Sequence, residues 1–139
     1  MQNLCVEIQG RVVVLVHNGL PYTPEEWRSI VALAARPDLD DLRVLVCDEG
    51  GSISSVQRAE LVDAMGPHMP RAAVLTDSVL SRGVTTAIGW FKPGIKAFRV
   101  GEFEMVARYL GLTEKERAFA SETAKRLQGE LAGKARESA

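Results

Sequence analysis

The densest run of side chains able to do chemistry is Asp48-Glu49-Gly50-Gly51-Ser52-Ile53-Ser54-Ser55, two carboxylates followed by glycines and three hydroxyls. Hydroxyls and free backbone N–H groups at the start of a helix stabilise a phosphate or another anion, so Ser52, Ser54 and Ser55 are candidates for an anion site or for phosphorylation. A Ser in that place also serves simply as a helix cap. Asp48 and Glu49 could hold a cation or act as a base, but neighbouring strand residues point to opposite faces. They converge only if the turn begins at Asp48. A second polar group, Thr76, Asp77, Ser78 and Arg82, follows the next strand; it reads either as a ligand rim or as a Ser cap with an Asp–Arg pair. His17 and His68 have no Cys or second His spaced to join them, and they read as structural or solvated. Gly50-Gly51 lacks both the Gly-Lys-Ser/Thr of a phosphate loop and the three-glycine spacing of a dinucleotide site. No nucleophile stands beside a base, which points away from an enzyme. Trp90, Phe91 and Phe103 are large aromatics suited to lining an apolar cleft or meeting a partner.

The elements that must position these residues follow from periodicity. Residues 44–47, Val-Leu-Val-Cys, are continuously apolar, as in a central strand buried on both faces of a mostly parallel sheet. Before it, Leu4, Val6 and Ile8 alternate with Cys5, Glu7 and Gln9, a strand with one solvated face, and residues 12–16 form an unbroken apolar run. Gly10-Arg11 between them makes a hairpin, with the first strand at the sheet edge. Thr23-Pro24-Glu25-Glu26 carries a cap, a Pro at the first helical position and a reciprocal Glu, and Ser54 with Gln57 repeats the capping pattern. The strand around residues 71–77 is placed parallel to the strand before it by the intervening helix. Ser78 caps a third helix, weakened by Gly83 and Gly89, residues 95–98 form a short strand, and a fourth helix ends at Gly111. The expected fold is a single-domain α/β structure: a mixed, mostly parallel sheet with an N-terminal hairpin, flanked by helices, plus an extra C-terminal helix.

A chain of 139 residues with 46% hydrophobic and 25% charged residues suits one core, and a net charge of −1 argues against capture of nucleic acid. The apolar runs are too short for a membrane span, and the N-terminus lacks the basic and apolar regions of a signal peptide, so the expected location is cytoplasmic. Cys5 and Cys47 read as buried free thiols, and no metal or cofactor is implied. The fifth helix, 113–131, is highly charged, with a thin apolar line of Ala120, Ala124, Leu127 and Leu131. It reads as an appendage that docks on the domain's own sheet or third helix, with pairing to a second copy as the alternative. Residues 132–139 read as a frayed tail.

Asn18-Gly19-Leu20-Pro21-Tyr22-Thr23-Pro24-Glu25-Glu26-Trp27, Gln57-Arg58, residues 73–78 (Ala-Val-Leu-Thr-Asp-Ser), Arg82-Gly83-Val84-Thr85-Thr86-Ala87, Trp90-Phe91 and Lys96-Ala97-Phe98 together look like the SpoIIAA-like, STAS/SEC14 branch of the STAS domains. The resemblance covers residues 2–112. It implies a mixed sheet flanked by helices, no cofactor, and action by docking on a protein partner such as a regulatory kinase or an anti-sigma-like factor. Asp48, Glu49, Ser52, Ser54, Ser55, Thr76, Asp77, Ser78 and Arg82 would form the docking rim. Antagonists of this family carry Asp-Ser/Thr-x-Gly after the central strand; here Glu49 stands in the phosphoacceptor's place, and a carboxylate supplies only part of a phosphate's charge. The SEC14 side of the resemblance implies a second role, a carrier or sensor of a lipid or other apolar small molecule held between the sheet and the third and fourth helices by Trp90, Phe91 and Phe103.

Overall fold

The structure, a computed structural model, describes residues 2–51 and 53–138. β1 (Leu4–Gln9) and β2 (Val12–His17) form an antiparallel hairpin around Gly10, whose φ of 58° suits a residue without a Cβ. β3 (Arg43–Asp48), β4 (Arg71–Leu75) and β5 (Ile95–Phe98) add in parallel, giving the sheet order β1-β2-β3-β4-β5. Each parallel step moves the same way across the sheet, so crossovers of one hand leave their helices on one face. These helices are α1 (Pro24–Ala34), α2 (Ser55–Met65) and α3 (Val79–Gly89). α4 (Phe103–Leu110) and α5 (Glu114–Ser138) cover the opposite face. No helix among the described residues is long and apolar enough to cross a membrane.

The period-2 alternation of the strands sorts the core into two layers. Val12, Val14, Val16, Leu45, Cys47, Ala73 and Leu75 face α4 and α5, whereas Val13, Val44, Ala72 and Ile95 face α1–α3. The free thiols of Cys5 and Cys47 are both buried in the α4–α5 layer, and burial pushes the Cys47 thiol up to about 11. All three crossover helices begin at the residues that the spacing predicts. Thr23 with Glu26 and Ser54 with Gln57 form reciprocal capping boxes, and Ser78 Oγ accepts from the Ser81 N–H. The end of α2 is closed by Lys92, which is buried and donates from Nζ to the carbonyls of Gly66 and His68, both at 2.7 Å.

β1 keeps to its pattern only at its start, where Leu4 is buried. Val6 and Ile8 are each 42% exposed, while Cys5 on the opposite face is buried. At this edge the α1–α3 layer has run out, and α5 lies across the other face, so cover follows the helix rather than the run of aliphatics. α5 is also more than an appendage. Ala120, Ala124, Leu127 and Leu131 are all buried against the sheet, the intramolecular docking expected of this line, which leaves it unavailable to a second copy. The helix continues to Ser138 where a frayed tail from residue 132 was expected, because Ala, Lys, Arg and Glu all favour helix there. Replacing Leu127 by Ala removes a side chain at the centre of this contact and should destabilise the protein by roughly 3 kcal/mol, read as a lower midpoint in urea unfolding.

Polar bonds anchor the start and the middle of α5. Arg11, in the β1–β2 turn, donates to both carboxylate oxygens of Glu116 at 2.8 and 2.9 Å and to the Gly111 carbonyl at 2.9 Å. Glu116 also closes a capping box with Thr113. Arg126 reaches Glu7 of β1. The hydrogen bond from Arg11, more than any other cause, holds the Glu116 carboxyl down to about 2 from its ordinary 4.5. A carboxyl whose pKa falls on folding stabilises the protein above its ordinary pKa and loses that contribution as pH drops toward the folded value. Stability should therefore fall as pH decreases from about 4.5 to about 2. In Glu116→Gln, urea unfolding at a series of pH values should give a flatter acid limb across that window.

Candidate functional site

β2 and β3 end side by side, with His17 in register with Asp48 at the carboxyl edge of the parallel sheet. By strand alternation both side chains lie on the α1–α3 face, in line with Leu15 and Val46. His17 is buried, with Nδ1 2.9 Å from Asp48 Oδ1 and Nε2 2.5 Å from the Leu20 carbonyl. The Tyr22 ring stacks on His17 with centroids 4.1 Å apart, and Trp27 sits beyond it at 5.9 Å. Asp48 Oδ1 also accepts the Gly50 N–H at 3.2 Å. Burial, reinforced by the carboxylates of Asp48 and Glu26, pushes the Tyr22 hydroxyl's pKa well above the ordinary phenol range, so it stays a neutral donor.

The loops that carry these residues are locked together. Gly51 has φ of +77°, and a Cβ there would lie 2.6 Å from the Gly19 carbonyl oxygen, so only glycine lets the two loops approach this closely. The Glu49 N–H donates to the His17 carbonyl, and Ser81 Oγ on α3 donates to the Gly51 carbonyl at 2.9 Å. Thr85, one turn further along, donates to the Ser81 carbonyl at 2.8 Å.

Behind this polar edge lies a cavity of about 190 Å³ between the sheet and α1–α3. Leu15, Val46 and Val74 form part of its floor, with Ile30 and Leu33 from α1, Leu61 from α2, and Val84 and Ile88 from α3 around it. His17, Tyr22, Asp48, Gly50, Gly51 and Ser81 also line it. The space exists because α2 fills it poorly. Val56 is 77% exposed, Leu61 and Val62 are half-buried, and Met65 is the one fully buried residue of that helix. On the sheet side Ala72 adds only a small side chain to the floor.

The polar residues singled out from the sequence are distributed unevenly. Asp48 joins the cavity, whereas Glu49 is exposed, so the adjacent carboxylates diverge. Ser54 is an exposed cap and Ser55 begins α2, also exposed; Ser52 lies outside the described residues. Thr76 is fully buried and accepts the Ser78 N–H. Asp77 accepts the Val100 N–H at 3.1 Å and makes no ion pair with Arg82 among the described residues. Among the described residues, no group of three His, Cys, Asp or Glu side chains could hold a metal.

The aromatic trio does not assemble. α3 and α4 lie on opposite faces of the sheet, so among the described residues no one cleft is shared by both: the cavity lies between the sheet and α3, and the expected contribution of α4 is corrected. Phe103 packs in the α4–α5 layer, while Trp90 and Phe91 are 78% and 65% exposed at the end of α3. Trp90 instead borders a shallow groove between α3 and β5, with Val79, Arg82, Thr86 and Lys96.

Two residues at the site were not singled out as functional. The signal for His17 is the register of β2 against β3, which brings it to Asp48, 31 residues on in sequence, while Tyr22 reaches the site from the loop before α1 by stacking on His17. His68, by contrast, pairs with Asp40 at 2.7 Å beside the α2–β4 connection, away from the cavity. No family model matches the chain, and neither the curated proteins nor the solved structures give a significant match.

Proposed function

We propose that this chain is a non-enzymatic binding module of the STAS-like, SpoIIAA-like kind, whose working part is the cavity under α1–α3 and whose occupant is an apolar small molecule. The carrying observation is a preformed space of about 190 Å³ with aliphatic walls and one polar end. The hairpin, the three crossovers and the closing helices support the STAS-like reading. An apolar cavity of about 150 Å³ stays dry and accepts benzene. The size here accordingly favours a compact occupant over a phospholipid.

Native mass spectrometry of freshly purified protein should retain a small adduct, and p-xylene should raise the melting temperature. At a free concentration one hundred times the dissociation constant, the gain is about 2.7 kcal/mol. Val74→Phe fills the cavity and should abolish the p-xylene gain. A clean apo mass together with a melting temperature indifferent to p-xylene would sink the reading.

A second reading, docking on a protein partner, is favoured by one observation. Val79, Leu80, Trp90 and Phe91 are 82%, 60%, 78% and 65% exposed on α3 and its end, more apolar surface than a helix flank in water needs. With Arg82 beside them and the exposed carboxylate of Glu49 across the rim, they form a surface for a partner with apolar side chains and both charge signs. In pull-downs from lysate, Glu49→Lys/Arg82→Glu and Val79→Glu/Trp90→Ser should each lose the partner that the wild type recovers. Equal recovery by all three proteins would exclude this surface.

A further inference from the structure

Three properties of the cavity's polar end narrow the chemistry of its occupant, on the reading that the cavity is a binding site. The first is charge. Besides the neutral Tyr22 phenol, Asp48 and His17 are the charged or chargeable side chains lining it among the described residues, and they are engaged with each other. No Lys or Arg lines it, and Arg82 stands in the outer groove. A carboxylate or phosphate head would meet the Asp48 carboxylate with no free cation to offset the repulsion.

The second is the hydrogen-bond inventory. Ser81 and Thr85 spend their hydroxyl protons on the carbonyls of Gly51 and Ser81. The Tyr22 hydroxyl hydrogen-bonds to no described residue, although Tyr22 lines the cavity and stacks on His17. Asp48 Oδ1 serves His17 and Gly50, while its Oδ2 accepts from no described residue. One unspent donor and one unspent acceptor thus stand at the same end of an otherwise apolar chamber. A hydroxyl is the simplest group that satisfies both at once, because it donates one hydrogen bond and accepts others. The third is size. About 190 Å³ is room for a benzene-sized ring with one or two small substituents and too little for a long acyl chain.

We infer that the cavity takes a small, uncharged phenol or alcohol with a compact apolar body, its hydroxyl donating to Asp48 Oδ2 and accepting from the Tyr22 hydroxyl. An occupant of the same shape without the hydroxyl would strip water from those two groups and return no hydrogen bond, so it binds more weakly.

Four probes sharing one body separate the head groups: p-xylene, p-cresol, p-toluate and 4-methylbenzylamine, titrated calorimetrically at pH 7. p-Cresol should bind roughly tenfold tighter than p-xylene, the value of one good hydrogen bond, and p-toluate should give no detectable heat. Tyr22→Phe keeps the ring on His17 and should cut p-cresol's advantage over p-xylene severalfold, the bond to Asp48 remaining. Retained p-xylene binding by that variant shows that the cavity is intact. Tightest binding by p-toluate or by 4-methylbenzylamine would overturn the assignment, as would p-cresol binding that ignores Tyr22→Phe. Equal binding of p-xylene and p-cresol to the wild type would reject the hydroxyl assignment and leave the apolar-cavity reading standing, whereas no binding of any of the four would reject both.

Discussion

The parallel pairing of β2 with β3 is the constraint on which the remaining structure depends. Its register sets Val12 beside Arg43 at one end and His17 beside Asp48 at the other. Five of the six residues of β2 are aliphatic and every one of its residues is buried, so both faces of this strand demand cover. The crossover helices answer that demand on one side, and α4 and α5 answer it on the other. A slip of β2 by one residue against β3 would turn His17 into the α4–α5 layer, away from Asp48, and bring Val16 to the cavity side. The polar end of the cavity is therefore fixed by the same aliphatic contacts that hold the sheet together, without a dedicated scaffold.

That arrangement also accounts for the way the site combines rigidity with empty space. Gly51 lies against Gly19, Ser81 holds the Gly51 carbonyl, and Asp48 holds both His17 and the following turn. Polar bonds thus fix the mouth while apolar side chains leave the interior underfilled. Interiors are ordinarily packed like organic crystals, and an unfilled volume forfeits dispersion contacts on every wall. A chain that keeps such a volume open under α2 accepts lower stability there.

How much could be read beforehand depended on distance along the chain. Helix starts were legible because caps are local: Thr23 finds Glu26, Ser54 finds Gln57 and Thr113 finds Glu116, each three residues on. The hairpin and the central strand were legible from their apolar patterns. The direction in which β1 turns its faces was not, since Val6 and Ile8 outrank Glu7 and Gln9 in hydropathy, and only the position of α5 decides which face is covered. His17 was opaque for the same reason; a lone histidine at a strand end becomes meaningful only when the neighbouring strand ends in a carboxylate at the same level. Phe103 and Trp90 share an apolar character, yet the chain crosses from one face of the sheet to the other between them.

α5 closes over the strands made first. Arg11 meets Glu116 across 105 residues of sequence, and Glu7 meets Arg126 across 119. During synthesis the β1–β2 hairpin is complete early, but the face bearing Cys5, Val12, Val14 and Val16 has no cover until the chain has been extended past Leu131. Contacts of such long separation must await closure of nearly the whole chain, which slows folding and prolongs exposure of an aliphatic strand surface. From the synthesis of β2 to that of α5 this aliphatic face therefore stays bare, and the arrival of α5, rather than the formation of the sheet, is the event that shields it from aggregation.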